Sequence, residues 1–204
     1  VTPISVALAL QVLVTSVAGG QMRSYEVDAQ RSQVTISVGK SGLFGFAGHA
    51  HEVVAPSVSG EVIADPGDPI GSTVTLSFET AALRVTGLGE PPQDVPKVQA
   101  NMIGPKVLDV ARFPAITFHS VAVTGRAAAA GAWDLDVSGD LGLHGVTQRL
   151  RLPLRVQMDG DSLAASGTAV LRQTEFGIKP MSVAGVVKVK DAVTVTFRIV
   201  ARTR

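Results

Sequence analysis

What most constrains this chain is an apolar pattern that repeats every second residue. Val34, Ile36 and Val38 alternate with Thr35 and Ser37. Val74, Leu76 and Phe78 alternate with Thr73, Thr75 and Ser77. The same rhythm runs through Trp133, Leu135, Val137, Leu141 and Leu143, through Leu150, Leu152, Leu154 and Val156, and through Val193, Val195, Phe197 and Ile199. Successive side chains of a strand point to opposite faces, so this period means one buried face and one wet face. Weaker stretches at 52–63, 115–124 and 163–172 bring the expected total to about eight strands. Turn residues such as Asp65-Pro66-Gly67-Asp68-Pro69 separate them. One-sided antiparallel strands in that number close into a barrel or stack as a sandwich.

One hairpin can be set in register from charge. If His144 and Gly145 form a two-residue turn, Asp140 faces Arg149 and Asp134 faces Arg155 on the wet side. Val137 then faces Leu152, and Leu135 faces Leu154, on the buried side. His144 reads as a turn residue that tolerates a left-handed backbone. The alternation breaks between Glu90 and Arg112. Asp94 can cap a short helix beginning near Pro96, Val98 and Met102 share a helical face, and Val107–Ala111 can add a further turn.

Composition removes whole classes of function. There is no Cys, which excludes thiolate zinc sites, thiol nucleophiles and disulfides. A net charge of +1 argues against a broadly basic nucleic-acid binder. The first charged side chain is Arg23, and Ile4–Val17 is mostly apolar but too short and too polar to span a membrane. It reads as the core of a secretory signal, with Ser16-Val17-Ala18 as the cleavage site. The expectation is a signal peptide over 1–18, one domain over 19–204, and a periplasmic or secreted protein.

Few residues suggest chemistry. Two histidines at i and i+2 on a strand share a face, so His49 and His51 could ligate a metal, or could simply close a glycine-rich turn. No third ligand is evident, and His119 alternates with apolar neighbours as a solvent-facing residue. Gly-x-Ser-x-Gly is absent, and Gly42–Gly48 lacks any phosphate-loop lysine and reads as a flexible apolar loop or bulged strand. Asp134, Asp136 and Asp140 face arginines, which favours surface ion pairing over catalysis. Ser41–Leu83 carries five acidic residues and no Lys or Arg, whereas the chain from Gly145 onward has ten basic and four acidic residues. That asymmetry fits either strand-surface complementarity or transient contact with a membrane surface.

Several ordered blocks resemble the YceI-like polyisoprenoid-binding family of exported lipocalin-like proteins. Tyr25-Glu26-Val27-Asp28 and Ser32–Val38 look like its first strand, followed by Gly48-His49-Ala50-His51 and Ser59-Gly60-Glu61-Val62. Leu108–Ser120 resembles the family's aromatic-Pro-x-Ile-x-Phe-x-Ser block, and Gly139–Thr147 its Gly-x-Leu-x-Leu-x-Gly-Val-Thr block. Phe176-Gly177-Ile178 and Lys190-Asp191-Ala192-Val193 resemble the closing blocks. The resemblance covers roughly Tyr25 to Ala201. It departs at Val98-Gln99-Ala100-Asn101-Met102-Ile103, where the family often carries a charged Arg-Asp-x-His-Leu-like stretch.

The resemblance implies an all-β, eight-stranded antiparallel lipocalin-like barrel, with a short helical segment near one end. It implies an isoprenoid lipid or quinone as ligand, no cofactor and no catalysis. Leu76, Phe78, Ile116, Phe118, Trp133, Leu135, Leu141 and Phe197 are the candidate cavity residues, with Met102 of the helix as a lid contact. The alternatives are a His-dependent metal protein or enzyme and a structural envelope domain with a filled core.

Overall fold

The computed structural model describes residues 20–41, 51–88, 90–183 and 187–204. The expected signal segment and the 42–50 stretch with His49 lie outside the described residues. Eight antiparallel strands follow one another round a closed wall: β1 (Arg23–Val27), β4 (Val58–Asp65), β5 (Asp68–Glu79), β7 (Ala115–Ala129), β8 (Ala132–Leu143), β9 (Val146–Met158), β10 (Ser162–Arg172) and β12 (Val187–Thr203). β1 closes the ring on β12, with Tyr25 opposite Thr203 and Val27 opposite Ala201.

Three further strands extend this wall: β2 (Gln33–Ser41), β3 (His51–Val54) and β6 (Arg84–Val85). β2 pairs with β12, β3 with β2, and β6 with β3. They continue β1, β4 and β5 beyond kinks, so three wall strands are each broken in two. At the first kink the Asp28 carboxylate accepts from the N–H groups of Gln30 and Arg31, an Asx turn. Ser32 then accepts from the Val200 N–H and ties the kink to β12. The stretch 52–63, one strand in the sequence reading, is therefore two. A two-residue β11 (Ser182–Val183) folds onto the start of β12.

The hairpin β8–β9 has the register its charges require. Asp140 pairs with Arg149, Asp134 with Arg155, Val137 with Leu152 and Leu135 with Leu154. His144 (φ 52°) and Gly145 (φ 76°) both take the left-handed backbone of the turn.

Among the described residues no strand continues β7 beside β6, and α1 (Val95–Ile103) lies there. Pro96 opens it and Gly104 ends it. Asp94 stands at the helix start but makes no side-chain capping bond, because its backbone is already helical there (φ −89°, ψ −23°). The expected extra turn at Val107–Ala111 is instead a run of tight turns pivoting on Asp109, whose φ is 44°. The Asp109 carbonyl accepts from the N–H groups of Arg112 and Phe113.

Apolar residues form two clusters. One lines the barrel interior around Phe118, Leu135, Val137 and Val156. The other joins β2, β3 and β6 to α1 through Val34, Val53, Leu83 and Val85.

Candidate ligand cavity

The inward faces of the wall strands do not fill the barrel. They leave a cavity of about 170 Å³. Among the described residues Ser72 is the one polar residue lining it, and its hydroxyl already donates to the Pro69 carbonyl at 2.5 Å. No charged side chain is among those lining residues.

Among the described residues, buried side chains pack at both ends of the barrel. At the end of the β4–β5, β7–β8 and β9–β10 hairpins, Tyr25 is 0% exposed and its hydroxyl donates to the Gly160 carbonyl at 2.9 Å. Burial pushes the Tyr25 hydroxyl above its ordinary 10.0, while the nearby Arg23 charge pulls the other way. Met158, Ala64 and Ala201 pack in the same cluster.

At the opposite end a 3-10 turn (Gln173–Phe176) follows β10 and carries the fully buried Phe176. Asp191 fastens this turn by accepting from the Thr174 N–H at 2.9 Å and hydroxyl at 2.8 Å. Those bonds, the backbone one first, hold the Asp191 carboxyl below its ordinary 3.8. The Phe176 carbonyl lies 3.2 Å from His144 Nδ1, and the His144 ring packs on Phe113 at 4.6 Å. Thr80 donates to the Phe113 carbonyl, tying the segment before β7 to the end of β5.

Six of the nine residues nominated from the sequence meet on the cavity wall: Leu76, Phe78, Phe118, Leu135, Leu141 and Phe197. Three do not. Ile116 packs between the two apolar clusters, Trp133 lies half-buried against the barrel core, and Met102 packs against the second cluster on α1. Met102 is kept from the cavity because α1 covers the β2–β3–β6 extension and not the barrel mouth. Gln99 holds it there: its side chain accepts from the Val85 N–H at 2.8 Å and donates to the Leu83 carbonyl at 2.9 Å, acting as a short partner strand for β6.

Of the two histidines weighed as metal ligands, His51 pairs with Glu90 at 2.5 Å, and both side chains are largely buried. Among the described residues no group of three or more His, Asp or Glu is arranged to hold a metal ion. His119 is exposed, opposite Asp140 on the outer face. On that face Arg149 grips Asp140 at 2.5 Å and Arg151 grips Asp136 at 2.9 Å, each with two bonds. These hydrogen bonds hold both carboxyls below their ordinary 3.8.

A family model described as a YceI-like domain matches residues 25–201. Among solved structures the chain is similar to BcnA of Burkholderia cenocepacia, at 19% identity and a TM-score of 0.66, covering 85% of this chain and 98% of that one. It is similar to a polyisoprenoid binding domain from Saccharophagus degradans implicated in plant cell wall breakdown, at 14% identity and a TM-score of 0.66, covering 89% and 99%. A YceI protein of Campylobacter jejuni matches at 12% identity and a TM-score of 0.53, covering 72% and 82%. No curated protein matches the chain.

Proposed function

This chain belongs to the YceI-like family, and from that membership and its cavity we propose that it binds the tail of an isoprenoid lipid, a polyisoprenoid or an isoprenoid quinone, inside the barrel. The observation that carries this reading is the lining: apolar throughout, save for one hydroxyl already engaged. A polar ligand would find no partners there and would lose its hydration on binding. An apolar chain gains roughly 25 cal/mol for each Å² it buries, with no directional contact needed. The polyisoprenoid binding named for the Saccharophagus degradans domain supports the same ligand class. The role is binding rather than catalysis, exercised in the periplasm or outside the cell, with transient membrane contact where lipid is exchanged.

Titration with a dansyl-labelled polyprenol tests the reading. Saturable fluorescence enhancement is expected, reversed by unlabelled polyprenol and not by glycerol phosphate. A signal that does not saturate, or that glycerol phosphate reverses, contradicts it. Expression with the 1–18 segment in a bacterial host tests export: the protein is expected outside the cytoplasm, shortened near Ala18. Full-length protein retained in the cytoplasm contradicts that part alone.

A further inference from the structure

Two ladders of the barrel wall are short: β5 and β7 pair only from Thr75 opposite His119 to Glu79 opposite Ala115, with the Ser120 hydroxyl accepting from the Val74 N–H just beyond, and the gap between β9 and β10 is left as a seam. The β8–β9 ladder runs unbroken from Leu143 opposite Val146 to Ala132 opposite Gln157. The β10–β12 ladder is equally complete, from Ser162 opposite Arg202 to Arg172 opposite Ala192. Between them β9 and β10 pair only from Leu163 opposite Met158 to Gly167 opposite Leu154. Beyond that rung, residues 146–153 of β9 and 168–172 of β10 face each other with no ladder between them.

The sequence supplies the reason. In a two-residue hairpin the residues flanking the turn, here Leu143 and Val146, exchange hydrogen bonds, and such pairs recur at every second residue. Even-numbered residues of β9 therefore bond to β8 and odd-numbered ones face β10. The next rung toward β10 would pair Pro153 with Thr168, and Pro153 has no N–H to donate. The ladder stops where that donor is missing.

The seam borders the cavity. Leu150 and Leu152 on one lip, and Ala169 and Leu171 on the other, line the cavity and are half-buried. Inside the paired part Val156, Met158 and Leu163 are buried, while Leu154 and Ala165 are half-buried like the lips. Size points the same way. An apolar cavity of about 150 Å³ takes one benzene, so 170 Å³ encloses only a short piece of a long chain. The rest of the ligand needs a way out, and among the described residues both ends are packed with buried side chains.

Resting on the isoprenoid-binding reading, we propose that the seam between β9 and β10 is the portal through which the tail passes, leaving the outer part of a long ligand and its polar head outside the wall. The ligand class this selects is a slender chain with one polar end, threaded sideways. The 3-10 turn at Gln173–Phe176 is the fixed foot of the seam, bound to β9 by the Gln148 amide, which donates to the Glu175 carbonyl at 2.9 Å.

Because the chain has no cysteine, the seam can be bridged selectively. Arg151→Cys with Val170→Cys places two thiols on opposite lips, at outward positions outside the cavity lining. Loaded with dansyl-labelled polyprenol and then linked by a short bis-maleimide, this variant is expected to release the probe to acceptor vesicles at least tenfold more slowly than its unlinked form. Arg149→Cys with Arg172→Cys, the next outward pair away from the paired region, is the second variant and should behave alike. Unchanged release from the linked proteins overturns the portal. So does a slowing produced only by linking Gln148→Cys to Glu175→Cys, which locks the barrel end. If the unmodified protein takes up no probe, the binding reading itself fails, and that result is distinct from uptake with release indifferent to the bridge.

Discussion

Tyr25 is the chain's one tyrosine, and it is the stopper at the closed end of the cavity. Tyr25→Phe should lower stability by about 0.5–1.5 kcal/mol in urea unfolding, since one hydrogen bond is lost while Arg23 still donates to the Gly160 carbonyl at 3.0 Å. Its raised pKa adds a pH signature. The contribution is complete below the ordinary 10.0 and is lost as pH rises through the higher folded value. Tyrosinate absorbance of the folded protein should therefore titrate above 10.0, and a titration at the ordinary value would show that the hydroxyl is not buried. Gly145 makes a second single-residue test. Its φ is 76°, and a Cβ there would stand 2.5 Å from the Phe113 ring. Gly145→Ala should cost about 1–2 kcal/mol from the left-handed backbone alone, and more as Phe113 is displaced. The turn role of His144 was legible from the adjacent Gly145. Its contacts with Phe113 and Phe176 were not, because they join segments 31 and 32 residues away that no local pattern connects.

Among elements, the β8–β9 hairpin was the most legible, because charge and apolar alternation independently demand one register. Asp140→Arg should lower the melting temperature slightly, and adding Arg149→Asp should recover most of the loss. A double variant no better than the sum of the two singles would count against the pairing. Acid gives a second readout. With Asp136 and Asp140 held below 3.8, their contribution is present above the ordinary carboxylate range and fades as pH falls through the lowered values. Replacing both by Asn should therefore flatten stability against pH in that acid window. The broken strands were less legible, since β1, β3 and β6 are too short to show a period. α1 was visible from Pro96 to Gly104, but Gln99 was not singled out as its fastening, because a lone amide carries no spacing signal. The break between β9 and β10 traces to Pro153. Pro153→Thr restores a donor and should slow hydrogen exchange at Thr168 and its neighbours, with a gain of about 0.5–1.5 kcal/mol if the ladder extends by one rung. Unchanged exchange there would mean that something other than the missing N–H holds the lips apart.

At the scale of the whole molecule, alternation announced a barrel or a sandwich, the family resemblance chose the barrel, and neither told whether it is hollow. That depends on how side chains from eight strands meet at the axis, which is a three-dimensional sum with no linear pattern. The same limit explains the placement of Met102, whose helix position depends on which tier of the wall α1 covers. Val137 tests the interior most simply, being buried and on the cavity wall. Val137→Trp should fill free space, so it should abolish polyprenol uptake while costing less than the roughly 1–3 kcal/mol typical of overpacking a filled core. Retained uptake, or a full overpacking loss, would contradict a usable cavity. The central claim is that the barrel carries an isoprenoid tail, and the most direct measurement is mass spectrometry of the organic extract from protein purified without added lipid. The account predicts an isoprenoid in near-stoichiometric amount with the wild type and its loss from Val137→Trp. An extract with no isoprenoid, or one whose isoprenoid content is the same in both proteins, would contradict it.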